Sequence, residues 1–459
     1  MMIRPLDNYL LILIIILAAG LRFFQLSALP GLTFDEIFYP QFGLNYLSGD
    51  SFSSVHPPLG AYLMSVSIYL YYLMPWTDSL LSTGFELSNL DPLSYRWLVA
   101  LAGTGLIYIA YKTSMELFDS QHFALLVALF FCLDGAFIVD SRIGLINIYL
   151  CLFGFLGLLF FLKGIKRGPI NSRYFILAMV FFGMAISVKW NGLGFWGVAP
   201  AAVLWFWMLS TLNSHQGDYI NSFNFNFSGL TSAPYMSLFL IVPTVIYLLA
   251  WVPNSLVVEG FSYLDQHRYM AGFHVDNIEE TPHPYQSAWY SWPLMLRPIA
   301  YYFSSDQLSL PSGDVQTLFT AVHLFPNPAL SILSFAAVVL LSCYGLQLLY
   351  RFFKEGRPSP DLAVVSIILI GFYGNLLPWA LVSRSLYLYH YQPASGFAFM
   401  ALALILFKLT QRQEKFAEWI YRGSLILMMA ASLYWLPLQL GIQIEAQRFY
   451  QMMWFDSWI

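Results

Sequence analysis

The stretch YLLILIIILAAGLRFFQL, residues 9–26, contains one charged residue, Arg22, and is long enough to cross the hydrocarbon core of a bilayer as a helix. Ten further apolar stretches follow it. Because they are continuous rather than alternating, and because lipid cannot satisfy free backbone groups, we expect all of them to be helical. The sequence therefore predicts an all-α polytopic membrane protein with about 11 spans in a single domain, residues 1–459. The spans are residues 8–26, 93–111, 121–140, 143–163, 174–190, 192–210, 236–253, 328–352, 361–382, 393–409 and 422–440.

The composition supports this fold class and argues against several functions. Of the 459 residues, 58% are hydrophobic and only 10% are charged, which is unusual for a soluble protein. The formal net charge is −4, and we expect no nucleic-acid partner. The three cysteines all fall in predicted spans, so neither a disulfide framework nor a zinc site is indicated.

A twelfth apolar stretch, residues 59–76, determines the predicted topology. If it lies on the membrane surface, 13 of the 21 Lys and Arg residues fall on one side, which the positive-inside rule makes cytoplasmic. We therefore expect an interfacial helix there, with residues 27–92 and 254–327 as the two outer segments. The 13 are Arg4, Lys112, Lys163, Lys166, Arg167, Arg173, Arg351, Lys354, Arg357, Lys408, Arg412, Lys415 and Arg422.

The other eight cations fall at or near the outer face, against the bias that sets topology. Any one of them could extend to lipid phosphate, but the whole set favours binding of an anion at the outer boundary. They are Arg22, Arg96, Arg142, Lys189, Arg268, Arg297, Arg384 and Arg448.

Two clusters in the first outer segment contain residue types that can take part in catalysis or binding. Asp35 and Glu36 follow the first span, and Asp35 is a candidate general base, metal ligand or N-cap for a helix over residues 37–47. His56, Pro57 and Pro58 form the second cluster, which is equally typical of a simple helix start. The residue types alone leave these alternatives open.

Taken together, the motifs resemble the protein O-mannosyltransferase family of GT-C membrane enzymes, which use a polyprenyl-phosphate sugar. FDE at 34–36 and VHPPLG at 55–60 resemble the first outer loop of that family. Further matches follow in the family's order. They are Tyr95, Arg96 and Trp97; Ser141 and Arg142; Lys189, Trp190 and Gly192; His283, Tyr285, Ser287, Trp292, Pro293, Arg297, Pro298 and Tyr302; and Leu377, Pro378, Trp379, Arg384, Tyr389, His390, Tyr391 and Pro393.

The chain departs from the family pattern in three places. Ala61 replaces the Lys that commonly follows HPPLG, and Asn147 stands where an Asp is common. The segment 254–327 is too short for the extra β-trefoil domain of eukaryotic members. The resemblance is therefore to a minimal, bacterial-type enzyme.

The resemblance implies a GT-C fold and a division of roles. Asp35 is expected to remove the acceptor proton, and Glu36 to position groups or bind acceptor, so Glu36→Gln should be milder than Asp35→Asn. Arg384, Arg142, Arg96 and Lys189 are assigned to the donor phosphate. His56, His283 and His390, with Arg297, Tyr389 and Tyr391, belong to other motifs. The phosphate can be met by Arg and Lys, so we expect no metal and no cofactor.

The leading functional prediction is inverting transfer of a hexose from a polyprenyl-phosphate carrier to Ser or Thr of exported proteins, and the family resemblance implies that the hexose is mannose. An alternative keeps the donor and changes the acceptor to a lipid or cell-envelope glycan. A third is a transporter of anionic lipids, although one-sided charge and large outer segments argue against alternating access. We expect a bacterial plasma membrane location with the site on the outer face, and membrane lipids and the secretion machinery as partners.

Overall fold

The computed structural model describes residues 5–29, 31–50, 52–166, 168–212, 225–276, 283–309, 311, 314–355 and 359–459. The predicted cytoplasmic cations Arg4, Arg167 and Arg357 lie outside these ranges. The helices are α1 (Pro5–Phe23), α2 (Tyr39–Ser48), α3 (Leu59–Tyr72), α4 (Pro92–Leu117), α5 (Gln121–Leu133), α6 (Gly135–Asp140), α7 (Asn147–Ile165), α8 (Ser172–Val188), α9 (Gly192–Leu212), α10 (Ala233–Ala250), α11 (Val252–Val257), α12 (Tyr263–Asp276), α13 (Pro328–Glu355), α14 (Asp361–Leu376), α15 (Gln392–Thr410), α16 (Lys415–Leu440) and α17 (Ala446–Met452). The strands are β1 (Ile299–Ser309), β2 (Val315–Leu324) and β3 (Ile444–Glu445).

Within the described residues, eight helices are long and apolar enough to cross a membrane. Three shorter apolar helices, Asn8–Phe23, Gln121–Leu133 and Ser172–Val188, coincide with the remaining predicted spans. The predicted multi-span helical fold is confirmed, while the count of 11 crossings stays a prediction. The eight are Pro92–Leu117, Asn147–Ile165, Gly192–Leu212, Ala233–Val257, Pro328–Glu355, Asp361–Leu381, Leu388–Thr410 and Lys415–Leu440.

The predicted span 121–140 consists of two helices rather than one. It breaks at Asp134, whose backbone is extended and whose carboxylate accepts from the Phe137 backbone N–H at 3.1 Å. Asp134 thereby caps the short helix α6, as aspartate commonly does. After this break, α6 packs against α16 and β2.

Helix α3 contains 14 residues, which is short for a crossing, and packs against α2 and α4. The α2–α3 contact is close because Gly43 lacks a side chain. A Cβ there would lie 2.7 Å from the Cβ of Met64. The helix predicted to be interfacial therefore packs into the helical bundle, and its position at the membrane surface stays a prediction.

The second outer segment contains a sheet that the sequence analysis did not predict. Strands β1 and β2 form an antiparallel hairpin, and β3 adds to β2, giving the order β1-β2-β3. Ala300 pairs with His323 and Tyr302 with Val322, so Tyr301 is the extra residue of a β-bulge. Bulges of this kind redirect a side chain, here into the protein interior.

Candidate active site

Asp35 and Glu36 lie on a short 3-10 turn, Phe34–Ile37, between α1 and α2. The turn is closed by Glu36, whose Oε2 accepts from the Thr33 backbone N–H at 2.8 Å. The N-cap of α2 is Phe38, so the interpretation of Asp35 as a helix cap is wrong. Capping therefore does not explain why a carboxylate occupies position 35.

Glu36 forms a fully buried ion pair with Arg96. The Nε atom of Arg96 donates to Oε1 at 2.7 Å and Nη2 donates to Oε2 at 2.6 Å. The same guanidinium donates to the carbonyls of Leu26 and Gly31, and the Gly144 backbone N–H donates to Glu36. These contacts join the first outer loop to α4 and to the turn after α6. The guanidinium is directed at Glu36 and backbone, a placement that does not fit the predicted phosphate role of Arg96.

Arg142 also has backbone partners. Its Nη1 donates to the carbonyls of Leu21 and Phe24 at 2.9 and 2.7 Å, and its Nη2 donates to the Leu440 carbonyl at 3.3 Å. Carbonyls at the ends of α1 and α16 are thereby satisfied by one buried side chain. The structure does not bring Arg142 to the cavity described next.

A cavity of about 640 Å³ lies between α9 and α14 and extends to the loop after α14. Small residues on one face of α9, Gly194, Gly197 and Ala201, line it, and Gly374 lines it from α14. A Cβ at Gly197 or Gly374 would meet no atom within 4 Å. The polar end of the cavity is formed by His56, Lys189, His274, Arg384 and His390. The shape suits a molecule with an apolar chain and an anionic head.

Lys189 and Arg384 are the two cations that line the cavity among the described residues. Lys189 is the C-cap residue of α8, and its Nζ donates to Asn147 Oδ1 at 2.7 Å. Arg384 donates to the Ser385 carbonyl at 3.0 Å, while its buried Nε has no hydrogen-bond partner among the described residues. Burial lowers the pKa of Arg384, but a guanidinium remains protonated. One strong donor is therefore available at the cavity wall.

Asp35 lies close enough to this end of the cavity to respond to its charges. Burial raises the pKa of Asp35, and the nearby Lys189 ammonium opposes that rise. No hydrogen bond or ion pair joins its carboxylate to another side chain in the described part of the chain. A carboxylate with a raised pKa and no partner is suited to accept a proton from a bound molecule.

Rings surround the cationic end. The His56 ring lies 6.2 Å from that of Tyr39 and 5.8 Å from that of His274, centroid to centroid. The Tyr389 and His390 centroids are 4.4 Å apart, and Tyr389 also faces the Lys189 ammonium. Burial lowers the pKa of His56 and takes that of His274 down to about 4. Both imidazoles are consequently neutral at physiological pH.

The remaining motif residues have mainly structural surroundings. Pro57 and Pro58 are buried at the start of α3, and Tyr391 is buried where α15 begins. Arg297 donates to the carbonyls of Pro284 and Ser457, which ties the second outer segment to the C-terminal region. His283 lies edge-on to Tyr387 at 5.3 Å. Within the described residues, no three His, Cys, Asp or Glu side chains are grouped so as to hold a metal ion.

Three residues near the site were missed by the sequence analysis. Asp140 and Tyr301 are buried and hydrogen-bonded to each other at 2.8 Å, and His274 lines the cavity from α12. Asp140 had a recognisable signal, since a carboxylate inside a predicted span is rare without a function. Tyr301 and His274 had none, because their positions depend on the sheet and on α12.

Comparison with solved structures identifies the fold. The chain superposes on the Saccharomyces cerevisiae protein O-mannosyltransferase Pmt1-Pmt2 complex bound to the sugar donor with a TM-score of 0.79, over 100% of this chain and 93% of that one, at 14% identity. It is similar to the Archaeoglobus fulgidus oligosaccharyltransferase AglB with a TM-score of 0.55, over 95% of this chain and 56% of that one, at 12% identity. The predicted GT-C fold of membrane glycosyltransferases is confirmed.

Sequence comparison gives the family. The model described as dolichyl-phosphate-mannose-protein mannosyltransferase matches residues 12–271, and the C-terminal four TMM region of protein-O-mannosyltransferase matches residues 261–458. The chain belongs to the dolichyl-phosphate-mannose-protein mannosyltransferase family and is a glycosyltransferase.

Bacterial relatives extend over nearly the whole chain. The polyprenol-phosphate-mannose–protein mannosyltransferase of Corynebacterium glutamicum is 24% identical, covering 99% of this chain and 94% of that protein. A protein of the same name in Mycolicibacterium smegmatis is 20% identical, covering 88% and 82%. The family resemblance of the motifs is confirmed by these matches.

Proposed function

We propose that this protein transfers mannose, with inversion, from a polyprenyl-phosphate carrier to Ser or Thr hydroxyls of exported proteins. One observation carries the proposal: an apolar cavity ends in Lys189 and Arg384, and the charge of Lys189 acts on the Asp35 carboxylate, which has no side-chain partner among the described residues. Lipid chain, phosphate and base would thereby be arranged in the order that the reaction needs.

The donor occupies the cavity between α9 and α14. Its isoprenoid chain lies along the small residues of α9. Its phosphate accepts hydrogen bonds from Lys189 Nζ and from the Nε of Arg384, which has no partner in the described part of the chain. Charge-assisted hydrogen bonds of this kind are about twice as strong as neutral ones. Arg96 and Arg142 act differently from the roles predicted for them: they hold the scaffold around the site.

Asp35 removes the proton of the acceptor hydroxyl as its oxygen attacks the anomeric carbon. The bond from that carbon to the phosphate oxygen breaks, and polyprenyl phosphate leaves with its charge held by Lys189 and Arg384. The phosphate is already a good leaving group, so one carboxylate is sufficient and a single displacement inverts the anomeric centre. Glu36, fully bonded to Arg96, takes no part in this step.

The protein acceptor is favoured over a lipid or glycan because the bacterial relatives are named protein mannosyltransferases. We place the reaction on the outer face of the bacterial plasma membrane. The basic residues are in excess in the loops on the opposite side, which the positive-inside rule makes cytoplasmic. Exported chains reach that face unfolded, so the secretion machinery is the expected supplier of acceptor.

The test is incubation of purified protein with radiolabelled polyprenyl-phosphate mannose and a Ser/Thr-rich peptide, followed by mass spectrometry of peptide and lipid products. We expect a hexose on the peptide, with an anomeric configuration opposite to that of the donor by NMR. Asp35→Asn is the matched control, since it should bind donor without transfer. Donor consumption with label recovered only in lipid or glycan from added membranes would replace the protein acceptor by the alternative, and lipid movement without glycosidic product would favour the transporter.

A further inference from the structure

Asp140, the last residue of α6, is a fully buried carboxylate that the reaction proposed above does not use. Its two oxygens have different partners. Oδ1 accepts from the hydroxyl of Tyr301 at 2.8 Å, and Oδ2 accepts from Nδ2 of Asn147 at 2.9 Å. The amide of Asn147 in turn contacts Lys189. Asp140 is therefore the centre of a chain of contacts that reaches the cavity.

The chemistry of these groups fixes the orientation of the Asn147 amide. An ionised carboxylate only accepts hydrogen bonds and an ammonium only donates them. With Nδ2 directed to Asp140, Asn147 presents Oδ1 to Lys189, which is the arrangement observed, at 2.7 Å. A neutral amide at position 140 weakens that constraint, because only the ammonium then determines which way the Asn147 amide turns, and it removes the negative charge on the far side of that amide.

The second branch of the network reaches the turn that carries Asp35. Tyr301, the bulged residue of β1, stacks on Phe34 with ring centroids 4.2 Å apart and an interplanar angle of 8°. Phe34 has a φ of 54°, which is unfavourable for a residue with a side chain. Such a conformation persists where surrounding contacts hold it, and the stacked ring is one of them.

We infer that Asp140 is a positioning residue for both halves of the reaction: through Asn147 it holds Lys189 for the donor phosphate, and through Tyr301 it holds the turn that carries Asp35. The inference rests on the proposed function for the role of Lys189. It also gives a physical account of Asn147, which stands where the family resemblance led us to expect aspartate. The carboxylate that position 147 lacks is supplied by Asp140, one hydrogen bond farther from Lys189.

Exchanging the two side chains provides the sharpest test. In Asp140→Asn/Asn147→Asp, the three contacts that join Tyr301 to Lys189 can form again: Tyr301 donates to the amide oxygen at 140, the amide NH₂ donates to the carboxylate at 147, and Lys189 donates to that carboxylate. Asp140→Asn alone leaves two amides that only the Lys189 ammonium orients, and it removes the buried negative charge of the network. Asn147→Asp alone places two carboxylates side by side with no proton between them, which is unfavourable.

The measurements are dissociation of undecaprenyl phosphate from purified protein, donor KM, kcat and thermal stability. We expect each single variant to weaken undecaprenyl phosphate binding about tenfold, as for loss of a hydrogen bond to a charged group, and the exchange variant to return within about twofold of the parent. Tyr301→Phe should lower kcat and leave the donor KM near the parent value. Asp134→Asn is the control, because it alters a buried carboxylate at the other end of α6 and retains an N-cap residue.

An exchange variant that folds and binds no better than Asp140→Asn would overturn the inference, as would an unchanged affinity in Asp140→Asn. Lys189→Ala separates this failure from that of the proposed function. If Lys189→Ala does not weaken undecaprenyl phosphate binding, the donor site itself is wrong. If it does and Asp140→Asn does not, only the positioning role of Asp140 is lost.

Discussion

Glu36 and Arg96 are joined by two hydrogen bonds of 2.7 and 2.6 Å with both side chains fully buried, whereas the neighbouring Asp35 has no side-chain partner in the described part of the chain. Two adjacent carboxylates therefore have opposite surroundings. Glu36 stabilises the scaffold through Arg96, whereas the Asp35 carboxylate is available to accept a proton. This difference determines the first two predictions.

Asp35→Asn is expected to lower kcat by roughly a hundredfold or more, because an amide cannot accept the hydroxyl proton. Donor KM should change little, since the phosphate contacts remain. Turnover at saturating donor, measured together with donor binding and thermal stability, checks this. A stable Asp35→Asn protein with near-normal kcat would exclude Asp35 as the base.

Glu36→Gln is expected to destabilise the fold by about 3 kcal/mol, because Arg96 would be left as a buried charge without its carboxylate. The sequence analysis expected Glu36→Gln to be milder than Asp35→Asn, and for stability the contacts of Glu36 reverse that order. Thermal unfolding in detergent measures the effect, with Glu418→Gln as control because Glu418 forms an exposed pair with Arg422. An unchanged melting temperature with lost activity would return Glu36 to an acceptor-binding role.

On acidification, kcat should begin to fall at a pH above the ordinary aspartate pKa range. Burial raises the pKa of Asp35, so the base becomes protonated, and kcat falls, as the pH drops through that raised value. The same shift means that ionising Asp35 costs folding stability as pH rises between its unfolded and folded pKa values. At neutral pH, Asp35→Asn should therefore be no less stable than the parent. A kcat profile with its acid limb at the ordinary aspartate pKa would contradict this.

Arg384→Ala is expected to raise donor KM by roughly ten- to a hundredfold while acceptor KM changes little, since one charge-assisted contact to phosphate is lost. Arg384→Lys should recover only part of this, because an ammonium lacks the planar fork. Arg142→Ala is the comparison: its contacts are to the carbonyls of Leu21, Phe24 and Leu440, so it should lower stability rather than donor affinity. An effect on donor KM from Arg142→Ala in fully folded protein would restore the phosphate role that the sequence predicted.

Gly197→Leu should raise the KM for long-chain donors and have less effect on donors with a short isoprenoid tail. Position 197 faces open space in the cavity, so the new side chain would occupy the path of the lipid chain. Gly105→Leu is the matched control, since position 105 also has no atom within 4 Å of a new Cβ but lies on α4, away from the cavity. Equal effects of both substitutions would place the lipid chain elsewhere.

The helices could be predicted from the sequence because a membrane span depends on local composition. Each of the eleven predicted spans coincides with helical structure in the described residues, although residues 121–140 form two helices. The direction of a side chain also depends on contacts with elements that are distant in the sequence. Arg96, Arg142, Lys189 and Arg384 share the same predicted depth, but only the last two line the cavity. What distinguishes these cations is their contacts with distant elements, such as that of Arg142 with the Leu440 carbonyl of α16. The sequence around each cation does not indicate these contacts.

The contacts of Arg142 have a consequence for how the protein is made. This side chain joins carbonyls near the end of α1, the most N-terminal of the described helices, to the carbonyl of Leu440 at the end of α16. The two helices are separated by most of the chain, so α1 must remain in the membrane without this partner during nearly all of translation. Closing so long a loop carries an entropic cost, so we expect this contact to form later than contacts between neighbouring helices. The contact between Arg142 and Leu440 can therefore form only after α16 has been synthesised.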